Sequence, residues 1–142
     1  MNKTYDDKSV SDYINHFYDD NPFTNHLGVD IISINEGKVS VALKIKHEHT
    51  NVYGIAHGGV ITSLCDMAMG AACLSMSKKV VTIDMNINII KSIAQEDTAL
   101  VKGCIIHNGK STIVAECEVF NTAKKLCAKA RGTFFVIGPI RQ

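Results

Sequence analysis

Apolar positions along the chain follow two rhythms, and the change from one to the other lays out the architecture. Val10, Tyr13, Ile14 and Phe17 recur at i, i+3, i+4 and i+7, which predicts a short amphipathic helix ended by Asn21-Pro22. The residues before it, 1–9, are polar and predict a frayed start. Residues 23–27 admit one more helical turn before Gly28. From residue 29 the period becomes two. Residues 29–34 form one strand; Val39, Val41, Leu43 and Ile45 then alternate with Ser40, Ala42, Lys44 and Lys46. With Asn35-Glu36-Gly37-Lys38 as the turn, this predicts a hairpin with one buried face.

Residues 60–76 keep neither rhythm. They are rich in Ala, Met and Leu and carry a single charge, Asp66. A helix apolar on nearly every side belongs inside a structure. After a polar break at Ser77-Lys78-Lys79, Val81, Ile83, Met85, Ile87 and Ile89 alternate with Thr82, Asp84, Asn86 and Asn88, a strand whose polar face is rich in ligand-binding groups. Residues 98–107 and 111–120 pair across Asn108-Gly109, a strong hairpin signal. Residues 126–136 form a last strand with Ala128, Ala130 and Gly132 on one face, and residues 137–142 a tail. Four successive strands on short turns are largely antiparallel. One long apolar helix against them predicts an α+β fold, the sheet wrapped around the helix. No linker or repeat divides residues 1–142, so one domain is expected.

Composition narrows the function classes. A formal net charge of +1 with scattered basic residues offers no footprint for nucleic acid or an anionic membrane. The apolar helix, about 17 residues, sits at the short edge for a membrane span and has Asp66 at its centre, so no span is expected. The first residues lack the apolar core of a signal peptide. Five cysteines form no C-x-x-C pair and lie in apolar runs, which suits a reducing, cytoplasmic setting. Cys65 and Asp66 point about 100° apart on a helix, so Cys65 reads as a core thiol rather than a nucleophile.

Chemistry concentrates around His57-Gly58-Gly59. Glycines opening a helix leave backbone N–H groups approachable, and such groups hold negative charge. A lone carboxylate inside an apolar helix is costly unless something uses or pairs it. Gly58 and Gly59 are thus candidate oxyanion donors, and Asp66 a candidate base or nucleophile, unless the carboxylate pairs with a remote cation. Burial should raise the Asp66 pKa toward a useful range. Asn51 is able to turn a donor toward the same place, or simply cap a turn. His47 and His49, near His57, suggest either a metal site or an exposed strand end with surface histidines.

The motif N-x-x-G-x-x-H-G-G at residues 51–59, the helical Asp66 and T-x-D-M-N at residues 82–86 resemble the hotdog-fold acyl-CoA thioesterases. The resemblance is nearest to the branch holding the phenylacetate-pathway enzymes and thioesterase superfamily member two, and spans residues 29–136. It implies the hotdog fold and hydrolysis of acyl-CoA. In that pattern Gly58 binds the thioester oxygen, Asn51 helps polarise it, and Asp66 activates water or attacks. Thr82 orients the water, and His57 braces the loop or assists the leaving thiolate. Gly59, Asn86, Lys91, Lys110, Ser111 and Thr112 become substrate or coenzyme A contacts. No metal or redox cofactor is implied, coenzyme A being part of the substrate. The family also implies a homodimer, its sheets joined edge to edge and its sites shared between chains, often paired into a tetramer. The about 12 Å of helix from Gly58 to Asp66 agrees, because one helix cannot put both about 3 Å from one carbon. A hotdog hydratase or dehydratase, or a non-catalytic acyl-CoA-binding module, are the alternative readings.

Overall fold

Helix α3, Gly58–Ser75, is the axis of the fold, and its apolar circumference dictates what surrounds it. In a computed structural model describing residues 4–5 and 8–140, Leu64, Cys65, Ala68, Met69, Ala71, Ala72 and Cys73 of this helix have no solvent exposure. Each Leu or Met so buried contributes about 1.5–3 kcal/mol relative to exposure. The helix is long and apolar enough to cross a membrane by length and composition, but here most of it is buried under the sheet.

The sheet has seven strands in the order β1-β2-β3-β5-β6-β7-β4. They are β1 Thr4–Tyr5, β2 Asp30–Asn35, β3 Lys38–Lys44, β4 Lys78–Ile89, β5 Thr98–Asn108, β6 Thr112–Phe120 and β7 Leu126–Pro139. All neighbours pair antiparallel except β1, which runs parallel to β2. The layers close because small residues line the sheet under α3. A Cβ on Gly103 of β5 would lie 2.5 Å from the Ala68 carbonyl oxygen, so the helix backbone rests directly on this glycine. Ala115, Ala128 and Ala130 are likewise buried beneath it.

Helix α1, Lys8–Asp19, buries Val10, Ile14 and Tyr18. The ambiguous stretch after it is helix α2, Pro22–Leu27, capped by Asn21 and stopped by Gly28 at a left-handed φ of 81°. Tyr18 anchors this layer, its hydroxyl donating to the Met67 carbonyl of α3 at 2.7 Å. Burial, then the nearby Asp66 charge, push the phenol pKa upward, which keeps it a neutral donor.

The hotdog fold is as expected, with local corrections. Thr4–Tyr5 is a strand rather than frayed chain, and α1 already includes Lys8 and Ser9; residues 1–3 and 6–7 lie outside the described residues. The polar break at Lys78-Lys79 belongs to β4, because those residues pair with Pro139 and Gly138. β7 therefore continues through most of the expected tail, and Ile140 is buried, its N–H bonded to the Ser77 carbonyl; residues 141–142 lie outside the described residues. The hairpin after β5 keeps its three-residue turn but sits one residue later than expected, between Asn108 and Thr112. Finally, His47–His49 is a 3-10 turn rather than a strand end.

Candidate active site

His57 places its backbone and its ring at the start of α3. The ring Nδ1 accepts from Gly59 N–H at 2.8 Å, so the histidine itself is the N-cap. An accepting Nδ1 leaves the proton of the neutral ring on Nε2. The His57 N–H donates to the His49 carbonyl at 2.8 Å. His49 is buried, with Nδ1 accepting from Lys46 N–H at 3.0 Å and Nε2 bonded to the Leu27 carbonyl at 2.9 Å. Both its nitrogens are engaged, so His49 is a structural strut and not the surface histidine of an exposed strand end.

The strut sets which amide remains available. Gly59 N–H belongs to His57, while Gly58 N–H, the first of the helix, meets no acceptor among the described residues. Asn51 caps its own turn as well: Oδ1 accepts from Tyr53 N–H at 2.9 Å and Ile55 N–H at 3.4 Å. With Oδ1 occupied, the Nδ2 donors are what Asn51 has left to offer.

Eight residues along the helix, Asp66 is half-buried and accepts from the Thr82 hydroxyl at 2.6 Å. A register shift between Thr82 and Asp84 makes that bond possible. Thr82 pairs with the buried Phe134, whereas Asp84, Asn86 and Asn88 pair with Thr133, Arg131 and Lys129. One extra residue thus splits the polar face that strict alternation predicted. Thr82 turns toward the helix, and Asn86 sits on the opposite face of the sheet.

Asp66 and Thr82 border a cavity of about 460 Å³ between α1, α2, α3 and β4, walled by Tyr13, Phe17, Phe23 and Phe134. Gly58, Asn51 and Lys91 border a different cavity of about 280 Å³, and no residue lines both. Within one chain the structure therefore brings Asp66 to Thr82, and Gly58 to Asn51 and Lys91, but not the two groups together. Lys110, Ser111 and Thr112 stand at the other end of the sheet, where the Ser111 carbonyl accepts from Val136 N–H at 2.8 Å. That end holds the C-terminus of α3, not its glycines.

The aromatic wall was not foreseen as part of a site. Four of the nine Phe and Tyr residues, Tyr13, Phe17, Tyr18 and Phe23, lie within two short helices, and this excess was the available signal. Thr62 and Ser63 also border the cavity, their hydroxyls donating back to the Gly58 and Gly59 carbonyls at 2.8 and 2.7 Å.

Comparison with known proteins finds similarity over most of the chain. The thioesterase superfamily model matches residues 53–128, which include the His57 loop, Asp66 and Thr82. The acyl-coenzyme A thioesterase PaaI of Escherichia coli is 31% identical over 121 residues, covering 85% of this chain and 86% of the relative. A solved structure of the E. coli PaaI protein, from the phenylacetic acid degradation operon, superposes with a TM-score of 0.87 at 29% identity, covering 92% of this chain and 94% of that one. The protein smu.793 of Streptococcus mutans, solved bound to acetyl CoA, is 37% identical with a TM-score of 0.78, covering 80% of this chain and 91% of its own.

Proposed function

The chain belongs to the thioesterase superfamily, and from that premise we propose that it hydrolyses acyl-CoA thioesters to a free acid and coenzyme A, at sites shared between two copies of the chain. The observation that carries this reading is the Asp66 carboxylate, held by the Thr82 hydroxyl in the wall of a largely apolar cavity. Thr82 occupies Oδ1 and so orients the carboxylate, leaving Oδ2 for chemistry.

In the hydrolytic step, Asp66 takes a proton from water as the water oxygen bonds to the thioester carbon. The carbonyl electrons move onto oxygen, and the oxyanion is held by Gly58 N–H and an Asn51 Nδ2 donor. A fixed donor of this kind is worth about 3 kcal/mol of barrier. Collapse of the intermediate breaks the C–S bond, and the thiolate leaves with the proton. Direct attack by Asp66, giving an anhydride that water then opens, uses the same groups. His57 holds Gly59 and the loop, so its contribution is to keep Gly58 in place. None of these steps calls for a metal.

Three features support a homodimer. The two halves of the site border separate cavities of one chain. The helix rise of about 12 Å between Gly58 and Asp66 prevents one chain from closing them on one carbon. And β4 is a twelve-residue strand at the sheet edge, with Val81, Ile83 and Ile89 exposed. Bare edges of this length are a hazard unless another strand covers them. A second copy across β4 joins the sheets edge to edge and apposes the two helices; pairing of such dimers gives the tetramer. Lys91 beside Gly58 suits a coenzyme A phosphate, and Lys110, Ser111 and Thr112 serve that role only from the second copy. Five free cysteines fit a cytoplasmic setting.

The test is a panel of short, medium, long and aryl acyl-CoAs, reading released thiol with and without a chelator, for wild type and Asp66→Asn. Hydrolysis that survives chelation and falls about a hundredfold or more in the variant, with the fold intact, is expected. Saturable acyl-CoA binding without thiol release would identify a binding module, and water addition to an enoyl chain a hydratase.

A further inference from the structure

Among the described residues, the cavity that Asp66 borders has only one other charged residue in its lining, Lys79. Its ammonium lies 5.9 Å from the centroid of the Tyr13 ring, which fixes it over the aromatic wall. The ion pairs found among the described residues join His16 to Asp20, Lys44 to Glu96 and Arg131 to Glu116, so no carboxylate among those residues claims Lys79. The residue is half-buried, on the β4 segment that pairs with Gly138. A cation against aromatic walls without an anion has donors left over, and a desolvated carboxylate is their natural partner.

Along β4, Lys79 and Thr82 are three residues apart, about 10 Å of strand. Thr82 marks the reacting end of the cavity through its bond to Asp66. We propose that Lys79 is a specificity residue that binds the far end of the acyl group, and that the preferred substrates are half-thioesters of dicarboxylic acids of about six carbons. This rests on the thioesterase reading. The acyl chain lies between the aromatic side chains of α1 and α2 and the floor at Phe134, with the thioester at Asp66 and the terminal carboxylate on Lys79.

The experiment compares adipyl-CoA with hexanoyl-CoA, which differ in the far carboxylate, by kcat/KM in the wild type, Lys79→Met and Lys79→Arg. The wild type should favour adipyl-CoA. Lys79→Met should cut the adipyl-to-hexanoyl ratio about tenfold, mostly through KM, as expected for loss of one charge-assisted hydrogen bond. Lys79→Arg, which keeps the charge, should restore the ratio. In wild type alone, raising ionic strength should depress adipyl-CoA hydrolysis more than hexanoyl-CoA hydrolysis. A wild type that hydrolyses both esters with no adipyl preference and equal salt dependence overturns the proposal and leaves the thioesterase reading intact. A ratio unmoved by Lys79→Met, with only a lower melting temperature, makes Lys79 a structural clamp on Tyr13. Failure to hydrolyse any acyl-CoA refutes the thioesterase reading itself.

Discussion

Gly103→Ala tests whether the contact between α3 and the sheet sets the geometry of the site. The added Cβ would meet the Ala68 carbonyl oxygen at 2.5 Å, the Ala68 carbonyl carbon at 2.7 Å and Met69 N at 3.1 Å. All three are backbone atoms of a helix, so no side chain can swing away. Ordinary contact begins near 3.4 Å, and the helix must lift by the difference, 3.4 − 2.5 = 0.9 Å. Overpacking of this severity costs about 3 kcal/mol. For a domain of this size that is roughly 6–12 °C in Tm. The lift occurs two residues from Asp66, whose bond to Thr82 is 2.6 Å long, so the carboxylate is displaced with it. A misplacement near 1 Å is worth up to about a hundredfold in rate. The assay is thermal unfolding at fixed protein concentration together with thiol release, with Gly138→Ala as the control. A Cβ at Gly138 meets nothing within 4 Å, and that variant should stay within about 0.5 kcal/mol of wild type. If Gly103→Ala melts and turns over like wild type, the helix does not rest on Gly103 as described and the packing argument fails.

The shared site predicts complementation. Asn51→Ala and Asp66→Ala, each inactive alone, should regain about a quarter of wild-type activity when unfolded and reassembled together, because half the dimers are mixed and carry one intact site; a mixture still inactive after mass spectrometry confirms exchange places the site in one chain. Thr82→Val, which removes the bond to Asp66, should lower kcat about tenfold or more while Thr82→Ser retains most of it, and His57→Ala should cost less than Asp66→Asn; equal activity of the Val and Ser variants would dismiss the hydroxyl. Asp97 accepts from the Thr122 hydroxyl and from the Thr98 and Thr122 amides, which lowers its pKa below 3.8. The depressed carboxylate stabilises the fold above the unfolded-state pKa, and this is lost as pH falls through the folded one. Asp97→Asn should therefore be slightly less stable than wild type at neutral pH and equal to it well below pH 3.8; a difference that persists in acid would mean the charge is not responsible.

Much of this protein was legible in one dimension because the periods of its apolar residues are local properties. The 3.6-residue rhythm of α1, the unbroken apolar α3 and the period-two runs depend only on which face each residue presents, so element types and the α+β class followed from composition and spacing. The N-x-x-G-x-x-H-G-G run carried the loop through local chemistry: Gly54 takes a left-handed φ of 75°, while Asn51 and His57 accept from backbone N–H groups two residues on.

Tertiary structure decided the rest. The placement of β4 beyond β7 and of β5 beside β3 depends on which edges meet, information that alternation does not hold. The same is true of the frayed start and the tail: Thr4–Tyr5 and Gly138-Pro139 become strands because partners are present, not because their own residues favour it. His49 reads as a surface residue until Leu27 arrives from twenty-two positions away to accept its proton. Most consequential is the shift between Thr82 and Asp84, where one unpaired residue reverses the face of everything after it and turns Thr82 alone toward Asp66. A period-two pattern cannot announce its own interruption; the bulge exists because the strand must follow both β7 and the helix, and those constraints are met only in three dimensions.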